Sequence, residues 1–144
     1  MRLCDSSIVS LAPSIGFLHT APAHVETFER LLLERAPGTR GRHVVEPALL
    51  ALARELGPRD ALVAAQVGDC LAQLADVAVI VCSCSTISGV AEASRSPAPV
   101  IRIDRPMARA AVRAGTTIAL VTAVESAIEP ARELLMEEAA AAAG

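Results

Sequence analysis

Two cysteines, Cys82 and Cys84, and a row of hydroxyl residues, Ser83, Ser85, Thr86 and Ser88, follow directly on an apolar run from Val77 to Val81. A thiol can donate a proton, and its thiolate can accept one or attack carbon, so its surroundings decide whether it is reactive. Cys82 continues the apolar run and reads as an inert core residue, since free Cys is among the most buried residue types. Cys84 lies past the run, where Ser85 and Thr86 are expected to open a helix. A thiol at a helix start feels the positive end of the dipole and ionises more readily. The free N–H groups of that turn, with the Ser85, Thr86 and Ser88 hydroxyls, could hold a carboxylate.

Other chemistries find little support. Cys82 and Cys84 lack the C-x-x-C spacing of zinc or dithiol sites. His19, His24 and His43 show no zinc-ligand spacing with them. No G-x-G-x-x-G or Walker-type loop is present, so the anion site is not a standard nucleotide site. A disulfide framework joining Cys4, Cys70, Cys82 and Cys84 is not expected in a chain with this much aliphatic material. Cys70, amid apolar helical neighbours, reads as core.

The elements that must position Cys84 alternate between strand and helix. Residues 14–20 read as a strand, 23–36 as a helix, 42–46 as a short strand, and 47–57 as a helix opened by Pro47. A helix is expected over 59–75. The run 77–81, apolar at every position, fits a strand covered on both faces of a parallel sheet. Residues 98–104 read as a strand, 105–115 as a helix stopped by Gly115, 117–123 as a last strand, and 126–143 as a terminal helix. Such alternation implies an α/β fold, a parallel sheet flanked by helices. Ligands of these sheets lie beyond the carboxyl ends of the strands. That places Cys82 to Ser88 and Thr122 to Ser126 at the pocket, with His19, at the end of the first strand, facing it. His24 and His43 read as surface residues, Asp104 as a helix cap, and Glu137 and Glu138 as a solvated face.

The chain has 144 residues, 53% hydrophobic and 20% charged, which suits one globular domain. With a net charge of −3 and only two aromatic residues, Phe17 and Phe28, nucleic-acid binding is disfavoured. No apolar run is long enough to span a bilayer, and Asp5, Ser6 and Ser7 interrupt any signal-peptide core, so a cytoplasmic location is expected.

Four stretches, in order, carry a resemblance: "IGFLHTAPAHVETFERLL", "CSTISGVAE", "PVIRIDRPMARAAV" and "IALVTAVESAIEPARELL". Together they resemble the racemase-like branch of the aspartate/glutamate racemase superfamily, over residues 14–135, with 136–144 as a frayed helical tail. The resemblance implies a racemase-like, Rossmann-type three-layer sandwich. It also implies cofactor-independent, metal-free acid/base chemistry at the carbon next to the carboxylate of a small amino acid or related acid. By motif match, Cys84 is the acid/base thiol, and Thr86 and Ser126 hold the substrate carboxylate. In these racemases a second cysteine, from a second lobe, works on the opposite face of the substrate. This chain has Ala127 where the branch often has threonine, and neither Cys4 nor Cys70 stands in the second position. A chain incomplete relative to the two-lobe family would expose an apolar surface, through which a homo-oligomer is an expectation. Two other readings stand beside the racemase: a single-cysteine decarboxylase or cis-trans isomerase, and a non-catalytic remnant or half-domain that binds a small carboxylate.

Overall fold

A computed structural model describes residues 14–143. Cys4 and the amino-terminal stretch that bears on a signal peptide lie outside the described residues. The elements run β1 (Ser14–His19), α1 (Ala23–Arg35), β2 (Arg40–Val45), α2 (Pro47–Leu56), α3 (Ala61–Ala72) and β3 (Val79–Cys82). Then come α4 (Ser88–Ala93), β4 (Val100–Arg102), α5 (Arg105–Ala114), a 3₁₀ turn (Glu125–Ala127) and α6 (Ile128–Ala143). Local chemistry sets several of these limits. Pro47 stands in the first turn of α2, where no N–H is needed, and the Glu46 carboxylate accepts from Ala48 N–H. Gly57, at φ 93°, takes the left-handed conformation that stops α2. The Asp60 carboxylate caps α3 by accepting from Leu62 N–H at 2.8 Å.

The four strands form one all-parallel sheet in the order β2-β1-β3-β4. This is the α/β fold that the alternation implies. Pairing of Phe17 with Val81 and Leu18 with Cys82 fixes which side chains share a face. Leu18, Ile80 and Cys82 point to the side covered by α2, α3 and α4, where they join Leu49, Val63, Val67, Leu71, Ile87 and Ala91 in the main core. Phe17 and His19 point to the other side, under α1, where the Phe17 and Phe28 rings lie 5.0 Å apart. Val79 and Val81 on this second side are half-buried, so β3 is fully buried on one face rather than on both.

The expected strand over 117–123 is absent: these residues make no regular structure, and Val121 is 90% exposed. An apolar, β-branched run has strand propensity, but propensity supplies no pairing partner. Here Ile118 and Leu120 line a groove with Ala108 and Ala111 of α5 and Leu134 of α6, rather than adding to the edge at β4. The carboxyl-terminal stretch, read as a helical tail, is helix through Ala143. Glu138, expected in solvent, is buried and ion-paired to Arg105 and Arg109 of α5. No described helix is long and apolar enough to cross a membrane.

Candidate functional site

In the order β2-β1-β3-β4 the connection from β1 runs one way, to β2, and the connection from β3 runs the other way, to β4. The crevice beyond the carboxyl ends of β1 and β3 is therefore the topological switch point, where ligands of open parallel sheets bind. His19 ends β1, and Ser83, Cys84, Ser85 and Thr86 follow β3 at this crevice.

A cavity of about 330 Å³ opens there, within the size range of small-molecule sites. Cys84, Ser85, Thr86 and Thr122 all line it, together with His24 and Asp104 and a wall of aliphatic side chains that includes Leu50 and Leu120. Four of the six residues proposed from sequence are thus brought together around one space. Thr122 is there although the strand expected to deliver it is absent; it arrives on the irregular segment after α5. Ser126 stands one step back: its hydroxyl lies 3.1 Å from Thr86 Oγ1, and the residue itself lines the wider grooves of about 660 and 520 Å³ beside Pro58.

His19 does not face the cavity. Its ring is fully buried, with Nδ1 2.7 Å from Ser83 Oγ and Nε2 2.9 Å from His43 Nδ1. Strand alternation explains this: His19 shares the face of Phe17 and lies beneath α1. His43 is a second correction, since its side chain is only 11% exposed and bonds both His19 and Glu29. His24 is a third: it is partly buried at the first turn of α1 and lines the cavity.

The two cysteines separate as their positions require. Cys82 is completely buried, and desolvation pushes its thiol up to about 12, so it stays protonated at neutral pH. Cys84 is mostly buried but reaches the cavity. Cys70 packs in the main core from α3, and burial raises its thiol as well. Among the described residues, Cys84 is the one thiol at the cavity.

The helix expected at Ser85 begins later, at Ser88, and is only six residues long. The Ile87 and Ser88 N–H groups both donate to the Cys84 carbonyl, so they do not offer themselves to an anion. The Ser88 hydroxyl is fully buried and donates to the Ser85 carbonyl. Hydroxyls of Ser85, Thr86 and Thr122, rather than a helix terminus, are the polar groups that a bound carboxylate would meet.

Asp104 precedes α5 but makes no capping bond with its side chain. Instead Oδ1 accepts from Arg102 Nε at 3.2 Å, while the buried Oδ2 has no partner among the described residues. A buried acceptor without a donor is costly unless something satisfies it. His24 and Asp104 are the cavity residues that sequence reasoning passed over. The strand-end rule applied to the β1–α1 and β4–α5 connections, and not only to the β3–α4 connection, points to both. No group of three His, Cys, Asp or Glu among the described residues is arranged to hold a metal ion. No family model, curated protein or solved structure matches this chain.

Proposed function

We propose that the chain is an isomerase-like protein of the racemase kind, in which the Cys84 thiol moves a proton at the carbon next to the carboxylate of a small amino acid or related acid. The observation that carries this reading is the convergence of one thiol and three hydroxyl residues, Ser85, Thr86 and Thr122, on a single cavity at the switch point of the sheet. The hydroxyls would hold the carboxylate, and Ser126 would orient the Thr86 hydroxyl. Asp104 also lines the cavity, and a carboxylate there is the kind of acceptor that an α-ammonium group pairs with, which favours an amino acid as substrate. The chemistry balances as a simple exchange: the thiolate takes the α-proton, and the resulting carbanion is reprotonated.

The test is exchange of α-hydrogen for deuterium in heavy water across a panel of small amino acids. Wild type should exchange at least one of them, and Cys84→Ala should lower the rate by about 10²–10⁴-fold, the usual contribution of a positioned acid/base group. Exchange that survives Cys84→Ala unchanged contradicts the proposal. The presence of one thiol at the cavity among the described residues favours a second reading, in which the site binds a small carboxylate without turnover. Binding by calorimetry with no exchange of any substrate is the result that selects it.

A further inference from the structure

Beside the cavity lies a line of polar side chains that the proposal above does not use. Glu29 Oε1 is 2.8 Å from His43 Nε2, His43 Nδ1 is 2.9 Å from His19 Nε2, and His19 Nδ1 is 2.7 Å from Ser83 Oγ. Ser83 Oγ is in turn 3.3 Å from His24 Nδ1, and His24 lines the Cys84 cavity. At the far end, the Glu29 side chain is 48% exposed. The line therefore runs from solvent, beneath α1, to the cavity.

Counting hydrogens gives it a direction. A carboxylate only accepts, so His43 Nε2 carries the hydrogen, and in the neutral ring Nδ1 then accepts from His19 Nε2–H. His19 is neutral at neutral pH: burial first, then the neighbouring His43 and His24 rings, lower its pKa to about 4. With its hydrogen on Nε2, its Nδ1 must accept from the Ser83 hydroxyl. That hydroxyl has an alternative acceptor in the Leu18 carbonyl, but at 3.4 Å against 2.7 Å. Ser83, having spent its one hydrogen, accepts from His24 Nδ1–H.

We propose that Glu29, His43, His19, Ser83 and His24 form a one-directional hydrogen-bonded relay that holds His24 as the Nδ1–H tautomer and leaves its Nε2 as a second proton acceptor at the Cys84 cavity. The inference rests on the acid/base reading of that cavity and names the group that works there beside the thiol. A proton taken up at His24 Nε2 releases the Nδ1 hydrogen to Ser83 Oγ, whose own hydrogen passes to His19 Nδ1. His19 then gives its Nε2 hydrogen to His43 Nδ1, and His43 gives its Nε2 hydrogen to the Glu29 carboxylate. One proton enters at the cavity, one arrives at the surface, and the reverse sequence resets the chain.

Gly41 supports the arrangement independently. A Cβ there would fall against the Glu29 carboxylate and 2.8 Å from His43 Nε2, so the relay's outer end occupies a gap that only glycine leaves.

Nitrogen-15 NMR of the imidazole rings at neutral pH tests the relay without reference to turnover. Wild type should show Nε2–H on His43 and His19 and Nδ1–H on His24. In Ser83→Ala, His24 should revert to Nε2–H, the form favoured by a free imidazole, while His43 keeps its Nε2 hydrogen. His24 protonated on Nε2 in wild type, or unchanged by Ser83→Ala, overturns the relay. Should Ser83→Ala not fold, Glu29→Lys at the half-exposed end serves instead: its ammonium donates to His43 Nε2 and should invert all three rings, and rings left as in wild type overturn the proposal. Where wild type exchanges α-hydrogen, His24→Gln should slow exchange about 100-fold and Ser83→Ala about tenfold. Rates untouched by either overturn the catalytic part. Absence of exchange in wild type strikes the proposed function alone, since the tautomers still decide the relay.

Discussion

Two clusters of polar side chains stand apart in this fold, one beneath α1 and one, partly solvated around the buried Glu138, where α5 meets α6, and they are built in opposite ways. The second is closed. Arg105 pairs with Glu92, with Glu138 at 2.7 Å and with Glu137 at 3.1 Å, and Arg109 pairs with Glu138 at 2.8 Å. Opposite charges meet within the cluster, and its effect is to fasten α6 to α5 and α4. The first cluster is open. It contains mostly neutral, tautomeric groups strung in a line, with a half-exposed carboxylate at one end and a cavity at the other. A closed network of full charges can hold helices together but has nothing to pass on. An open line of groups that each donate and accept can carry a proton.

The comparison breaks first at His19. His19→Ala removes a fully buried ring and strands two partners, and should cost about 3 kcal/mol, from the lost packing and the unpaired polar groups. Urea denaturation measures it; a loss below about 1 kcal/mol would mean that the line is not a buried network at all. Arg105→Ala comes next, at about 1–3 kcal/mol, because it breaks charge-assisted bonds from a guanidinium that is still partly solvated. It should leave the imidazole tautomers unchanged; a shift in them would mean that the two clusters are coupled.

The smallest effect is also the most discriminating, because acid acts on the clusters in different windows. His19 is held down from 6.5 to about 4, so between those values the unfolded chain binds a proton that the folded chain refuses. Stability therefore falls as pH drops from 6.5 towards 4. Glu138 is held down from 4.5 to about 2 by its bonds to Arg109 and Arg105, so its contribution is whole above 4.5 and is lost as pH falls towards 2. Denaturation midpoints followed against pH should show two separate declines. His19→Gln should flatten the upper one and Glu138→Gln the lower; one substitution flattening both would contradict the separation.

Much of this was legible in the sequence, and two of the failures share a cause. The sheet and its helices follow from alternating periods, and Cys84 stood out because it comes after the apolar run rather than within it. The crevice between β1 and β3 follows from strand order, which no single segment reveals. What local reading missed were side chains whose partners are distant in sequence. His43 looked like surface until Glu29 and His19 closed around it. Glu138 looked solvated until Arg105 and Arg109 reached it across 33 and 29 residues. Asp104 is a different case: it had the right spacing for a cap, but Arg102, a neighbour only two residues away, claimed its carboxylate. The segment 117–123 failed for the converse reason: its local preference for strand was correct in kind, and the groove between α5 and α6 took it instead.

The most direct measurement on the whole account is α-hydrogen exchange in heavy water, run side by side on wild type, Cys84→Ala and Cys82→Ala. The account predicts exchange by wild type, loss of about 10²–10⁴-fold in Cys84→Ala, and a rate in the still-folded fraction of Cys82→Ala close to wild type, because that thiol is sealed in the core. Exchange that persists without Cys84, or that vanishes from folded Cys82→Ala instead, would contradict it.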